Sequence, residues 1–351
     1  MNELIYLNLG GVKLSKKVTK EFTANLPKAE LHLHIEGTLE PDLKLKLAKR
    51  NHIDIGQDTI EEVQKTYEYD DLASFLSVYY PAMEVLQKEE DFYELAFEYL
   101  KRAASNNVRH VEIFFDPQAH TSRGVAFGTV INGLYRAVVD ARALNVDAAL
   151  IMCFLRDFSK ESARKTLLES LPYKDKFIGV GLDSDEHNNP PLKFARQFED
   201  AAAQGLHLTA HCDIDQKESI DHIRQALEIM GVERLDHGTN IVEDPDLVQF
   251  VANKKIGLTS CPLSNGYVSP EMKGKEVLEL LAQDVKVSIH SDDPAYFGGY
   301  IGDNYYAIAK NFDLTKDQVV QLAKNSFETS WISDEKKALY LKELDEYVTA
   351  N

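Results

Sequence analysis

Short apolar runs recur along the chain at 29–34, 108–115, 148–154, 177–182, 207–211, 234–236, 256–260 and 286–290, and most close on a polar or ionisable residue. Runs of this length between turn residues predict buried strands. Between most of them, apolar positions repeat with a helical period, at 191–204, 219–230, 244–254 and 275–283. Strands alternating with amphipathic helices imply parallel βαβ units, because a parallel crossover needs a connection of that length. Eight such strands predict an α/β fold, a closed (β/α)8 barrel of the TIM type. A doubly wound open sheet is the alternative, but its glycine-rich turn after the first strand is missing.

The interval 41–107 predicts a helical insertion after strand 1, carrying Tyr67, Tyr69, Phe75, Tyr79, Tyr80, Phe92, Tyr93 and Phe97. Most of these aromatics are expected between helices, and a minority as a lid over the barrel mouth. Segment 316–350 predicts C-terminal helices packed outside the barrel. Residues 1–20 read as a peripheral N-terminal extension and 21–351 as a single domain, since no linker, repeat or low-complexity tract interrupts them.

Composition narrows the partners. A formal charge of −18 disfavours nucleic acid or an anionic membrane as partner, while leaving a small nucleobase or nucleoside open. No stretch approaches the ~20 apolar residues of a membrane span, and no basic segment precedes the apolar residues near the N-terminus. Cys153, Cys212 and Cys261 lack CxxC spacing and read as buried reduced thiols. Together these features predict a cytoplasmic protein.

The run ends carry the chemistry. His32 and His34 are separated by one residue, so in a strand both face the same side. His211, His237 and the stretch His290-Ser291-Asp292-Asp293 close later runs in the same manner. Three neutral imidazoles from His32, His34 and His211, with the carboxylate of Asp292, suit Zn2+ or another borderline divalent ion. Water on such a cation has its pKa lowered to about 7. His237 could orient or deprotonate that water, and Asp293 could face a substrate. The plainer alternatives are a satisfied core histidine at His237 and a turn at Asp293-Pro294.

The segments Leu26-Pro27-Lys28-Ala29-Glu30-Leu31-His32-Leu33-His34-Ile35-Glu36-Gly37-Thr38, Gly181-Leu182-Asp183-Ser184-Asp185-Glu186, Asp236-His237-Gly238, Cys261-Pro262-Leu263-Ser264-Asn265 and Ser291-Asp292-Asp293-Pro294-Ala295-Tyr296-Phe297-Gly298-Gly299 resemble the ordered motifs of the adenosine/adenine deaminase family of the amidohydrolase superfamily. The resemblance spans about residues 22 to 340. Leu39-Glu40-Pro41-Asp42 and the stretch from Phe115 to Gly124 bring it nearer to adenine deaminases of the fungal and bacterial type. It implies a (β/α)8 barrel that hydrolyses adenine to hypoxanthine and ammonia in purine salvage. It further implies zinc on His32, His34, His211 and Asp292, His237 beside the attacking water, and Asp293 on N7 of the purine. Ser184 and Glu186 are implied as contacts on the purine edge.

One departure stands out. The family follows its third metal histidine with Ala-Gly-Glu, and that glutamate moves protons to N1 and the leaving amine. This chain reads His211-Cys212-Asp213-Ile214-Asp215-Gln216. Attack at C6 still needs an acid, typically worth ~10²–10⁴-fold. Asp213, which shares the His211 face by strand parity, and Asp215, one residue beyond the usual position, are the candidates; Glu218 is a weaker one, suited to the first turn of the next helix. The departure leaves two other readings open: a related hydrolase of an N6-substituted adenine, a pterin or another amino-heterocycle, or a metal-binding relative without catalysis. Free base against nucleoside, the identity of the metal, and a homodimer against a monomer also stay open.

Overall fold

Eight strands lie side by side in chain order, every neighbouring pair parallel: β1 (Lys28–Glu30), β2 (Val108–Phe115), β3 (Asp147–Leu155), β4 (Gly179–Asp183), β5 (His207–Cys212), β6 (Arg234–His237), β7 (Gly257–Ser260) and β8 (Lys286–Ile289). The computed structural model describes residues 17–69, 71–212, 216–269 and 271–351. Most of the expected N-terminal extension, together with Asp213 and Asp215, lies outside those residues. Helices follow the strands on the outside, so the predicted (β/α)8 barrel is the observed fold.

Strand 1 corrects one expectation. It ends at Glu30, short of the predicted His34, because the pairing beyond is shared between two neighbours. Phe114 N donates to Leu33 O (2.8 Å) and Ile35 N to Phe114 O (2.9 Å) on one side. Asp292 N donates to His32 O (3.1 Å) and His34 N to Asp292 O (3.1 Å) on the other. These bonds join the first strand's extension to the chain beyond β8, and they keep the extended alternation that puts His32 and His34 on one face.

Alternation also separates two cores. On β2, Val111, Ile113 and Phe115 pack outward against the helices, while Phe114 joins Ile151 and Cys153 inside the barrel. All three cysteines are buried, as expected. The insertion is helical as predicted (Pro41–Asn51, Ile60–Lys65, Leu72–Ala82 and Glu89–Ser105). Helix Leu72–Ala82 is capped by Asp71, whose side chain accepts from Ser74 N, and carries Pro81 in its last turn. Its Phe75 packs on Phe297 (ring centroids 4.9 Å apart), which holds the helix over the C-terminal ends of the strands. The tail is less peripheral than expected. Helix Lys316–Glu328 buries Val319, Leu322, Ala323 and Phe327, and its Asn325 and Ser326 bond Val287 O and Ala29 N, sealing β8 and β1 from outside.

The opposite end of the barrel is closed by charge. Fully buried Arg234 donates to Glu112 (2.5 Å) and lies 4.1 Å over the Trp331 ring. His110 bridges Glu112 (3.1 Å) and Asp147 (2.9 Å), so both its nitrogens face carboxylates. Burial pushes the Glu112 carboxyl up, but Arg234 and His110 outweigh it and hold it at about 2. A group depressed in the folded state stabilises fully above its unfolded value of ~4.3. That contribution is lost as pH falls through about 2. Glu112→Gln, which strands a buried guanidinium, should lower the melting temperature at pH 7 by roughly 5–10 °C. Thermal melts of both proteins from pH 7 to pH 2 should show that gap narrowing below pH ~4.3; a gap constant with pH would contradict the charge-based account.

Candidate active site

Four donor atoms converge where the strands end. His32 Nε2 and His34 Nε2 each lie 3.0 Å from His211 Nε2. Asp292 Oδ1 lies 3.4 Å from His32 Nε2 and 3.5 Å from His34 Nε2. The outer ring nitrogens fix the tautomers. His211 Nδ1 faces Leu182 O (3.1 Å), which can only accept. His32 Nδ1 meets Thr259 Oγ1 (2.8 Å), whose own hydrogen goes to Asp236 Oδ1 (3.0 Å). His34 Nδ1 faces Asp183 Oδ2 at 3.4 Å. Each Nδ1 thus carries the hydrogen, and each Nε2 turns a lone pair to the centre.

Three lone pairs and a carboxylate oxygen this close repel one another unless a cation lies between them. A tetrahedral site with bonds of ~2.0–2.1 Å has donor–donor edges of roughly 3.3–3.4 Å. The four edges that His211 and Asp292 each make with His32 and His34, 3.0–3.5 Å, bracket that value, so these residues fit zinc or a comparable divalent ion. The protonation states agree. Burial, then the neighbouring imidazoles of His32, His34 and His237, push the His211 ring well below its ordinary value. Burial acts upward on Asp292, but His32, His237 and His34 prevail and hold its carboxyl well below the usual range.

His237 Nε2 is 3.8 Å from Asp292 Oδ2, and its buried Nδ1 has no hydrogen-bond partner among the described residues. Asp293 forms the expected turn and also lines the pocket. Its carbonyl accepts from Tyr296 N (2.9 Å) and Phe297 N (3.0 Å) in a turn, while its side chain lines the pocket. Burial and the charge of Asp292 push its carboxyl well above the ordinary range. Gly37 is required here, since a Cβ on it would lie 2.0 Å from Asp293 Oδ1. Backbone strain gathers at the same place: Ser184 (φ 72°), His237 (φ 60°) and Asp292 (φ 63°) all adopt left-handed conformations.

A cavity of about 670 Å³, including its open mouth, lies over this cluster. His34, His211, His237 and Asp292 form its floor, with Asp293, Ser184 and Glu186 along its walls. Phe75, Tyr79 and Tyr80 of the insertion line it too, the minority expected as a lid. Tyr80 ties to Ser184 (2.8 Å between hydroxyl oxygens), joining the lid helix to the strand-4 loop.

The match that decides kinship is to the Adenosine deaminase family model, which covers residues 27–347. The chain belongs to the adenosine deaminase family. It is 48% identical to an adenine deaminase of Acinetobacter baylyi, over 93% of this chain and 98% of the relative. It is 51% identical to an uncharacterised deaminase of Schizosaccharomyces pombe, over 94% and 98% of the two. The solved adenine deaminase of Arthrobacter aurescens superposes with a TM-score of 0.89 at 44% identity, over 92% of this chain and 99% of that one. An amidohydrolase of Burkholderia ambifaria, solved with bound Zn, superposes at 0.85 with 25% identity over 96% of both. Membership makes the chain a metal-dependent hydrolase.

Within this deaminase site, several participants escaped the sequence reading. Asp116 and Asp183, both buried pocket residues, end β2 and β4 as the histidines end other strands, so the same signal marked them. Arg156 is wholly buried and donates to His211 O (2.8 Å) and Asn189 O (3.0 Å), tying the strand-5 end to the strand-4 loop. Glu186 accepts from His222 Nδ1 (2.7 Å) and lies 3.5 Å from Arg156 Nη2. Glu36 accepts from His120 Nε2 (2.8 Å) and Asp116 N (3.1 Å), which explains the tract that follows β2. Glu218 is exposed at the start of helix Ser219–Arg224, so the helix-turn reading of it holds. His290 is committed elsewhere: Leu31 N donates to its Nδ1 (3.0 Å), leaving Nε2 to donate to Ser288 (2.7 Å).

Because Thr259 relays between His32 and Asp236, Thr259→Val should weaken zinc binding about 10–100-fold while leaving the fold intact. Competition with a chromophoric chelator measures it; unchanged affinity would show that the relay does not hold the His32 tautomer.

Proposed function

We infer that the chain hydrolyses adenine to hypoxanthine and ammonia, with a divalent cation, zinc first, held by His32, His34, His211 and Asp292. The observation that carries this reading is the meeting of three imidazole lone pairs and a carboxylate beneath a pocket at the strand ends. Sequence identities of 46–48% to adenine deaminases over more than nine-tenths of the chain support the substrate. A cation at this position lowers the pKa of a water molecule to about 7.

The chain's own groups supply the rest. His237, with its unpartnered Nδ1 and its Nε2 toward Asp292, holds the proton released as water adds to C6. Asp293 hydrogen-bonds N7, while Ser184 and Glu186 meet the opposite edge of the ring. The lid helix excludes bulk water, which strengthens each of these contacts. Asp213 or Asp215 delivers the proton to N1 in place of the family's glutamate. One domain, 21–351, carries all of these groups and acts in the cytoplasm; no described helix is long and apolar enough to cross a membrane.

Ammonia release from adenine by the zinc-loaded protein tests the reading. His211→Ala should abolish both turnover and stoichiometric zinc. Of Asp213→Asn and Asp215→Asn, one should lower kcat by ~10²–10⁴-fold and the other little. Turnover of an N6-substituted adenine with none of adenine would overturn the assignment, and the altered strand-5 end would then be its cause.

A further inference from the structure

Asn265 stands out among the pocket residues. It is wholly buried, it lines the cavity, and neither Oδ1 nor Nδ2 has a hydrogen-bond partner among the described residues. Leaving a buried amide unsatisfied costs about 1–3 kcal/mol per group, so such a side chain in a pocket points to a ligand. Asn265 lies in helix Pro262–Val268, which begins directly after β7. Cys261, at that junction, has its sulfur within 4.8 Å of a His32 and a His237 ring nitrogen. Asn265, one turn into this helix, thus follows β7, between β6, which ends in His237, and β8, which precedes Asp292 and Asp293, and three strands round the barrel from the β4 loop that carries Ser184 and Glu186.

We propose that the Asn265 carboxamide holds the C6 amino group of the substrate and the ammonia that departs from it. This rests on the adenine reading: with N7 at Asp293 and the far edge at Ser184 and Glu186, the C6 substituent projects toward the strand-7 side. An amino group on a purine donates hydrogen, which Oδ1 accepts. When the C6–O bond has formed and the C6–N bond breaks, the nitrogen leaves with the bonding pair and the proton that His237 took up from water, while the C6 hydroxyl proton returns to the aspartate that protonated N1. The resulting ammonia both donates and accepts, matching Oδ1 and Nδ2.

Asn265→Leu, of similar volume, removes both polar atoms. With adenine, kcat/KM should fall roughly 10–100-fold. With 6-chloropurine it should change less than about threefold, because chloride leaves with its electron pair and needs no hydrogen-bond partner of this kind. The unliganded variant should melt no lower than wild type, because an apolar isostere removes an unsatisfied amide. Equal losses on both substrates, or a melting temperature lower by several degrees, would show a structural role and overturn the proposal. If wild type turns over neither substrate, the adenine reading has failed. Calorimetric binding of adenine and of purine, which lacks the C6 amine, then decides Asn265 separately. Affinity lost for adenine alone supports it, and an equal change for both sinks it.

Discussion

Everything at the mouth of this barrel depends on keeping three imidazole lone pairs and one carboxylate oxygen pointed at a common centre. Left to themselves these groups would turn apart or take up protons. Two imidazoles are held from behind by hydrogen bonds, His32 by Thr259 and Asp236 and His211 by the carbonyl of Leu182, while His34 faces the Asp183 carboxylate at 3.4 Å. The restraint on His211 extends further, because buried Arg156 grips its carbonyl. The site is thus a set of outward hydrogen bonds that together impose an inward repulsion, which a divalent cation relieves.

That constraint explains where polarity and strain are tolerated. Buried Thr209, Asp236, Thr259, Ser288 and His290 occupy positions a barrel core would usually give to aliphatic side chains. They are hydrogen-bonded to one another or to the site, so their burial is compensated. Left-handed Ser184, His237 and Asp292 cost on the order of 1–3 kcal/mol each. Each is a pocket residue at or just after a strand end, where a side chain must be turned toward the centre. The Arg234–Glu112–His110 plug at the other end, with Trp331 over it, closes the barrel without adding to that strain.

The pocket combines an ionic floor with an aromatic roof. Phe75 against Phe297, and Tyr79 against Tyr296 (ring centroids 5.4 Å apart), tie the insertion to the segment that carries Asp292 and Asp293. The insertion and the segment that carries Asp292 and Asp293 are therefore parts of one packed unit, and a change in the lid reaches the carboxylates through these aromatic contacts.

Much of this was legible in one dimension. The alternation of apolar runs and helical periods determined the eight-stranded barrel, because each period permits only one way to bury its face. Strand-end placement singled out His32, His34, His211, His237, Asp292 and Asp293, because in a parallel barrel all strand ends converge on one rim. What the sequence could not determine was how side chains from distant strands answer one another. Strand 1 stopped at Glu30, yet His34 kept its face through bonds to Asp292 and Phe114, partners far away in the chain. Thr259 as the support of His32, Arg156 as the support of His211, and Asn265 as an unpaired amide carry no local signal. Their roles arise only once eight strands close and bring their ends within hydrogen-bonding distance. Periodicity is a property of neighbours along the chain, whereas satisfaction of a buried polar group is a property of neighbours in space.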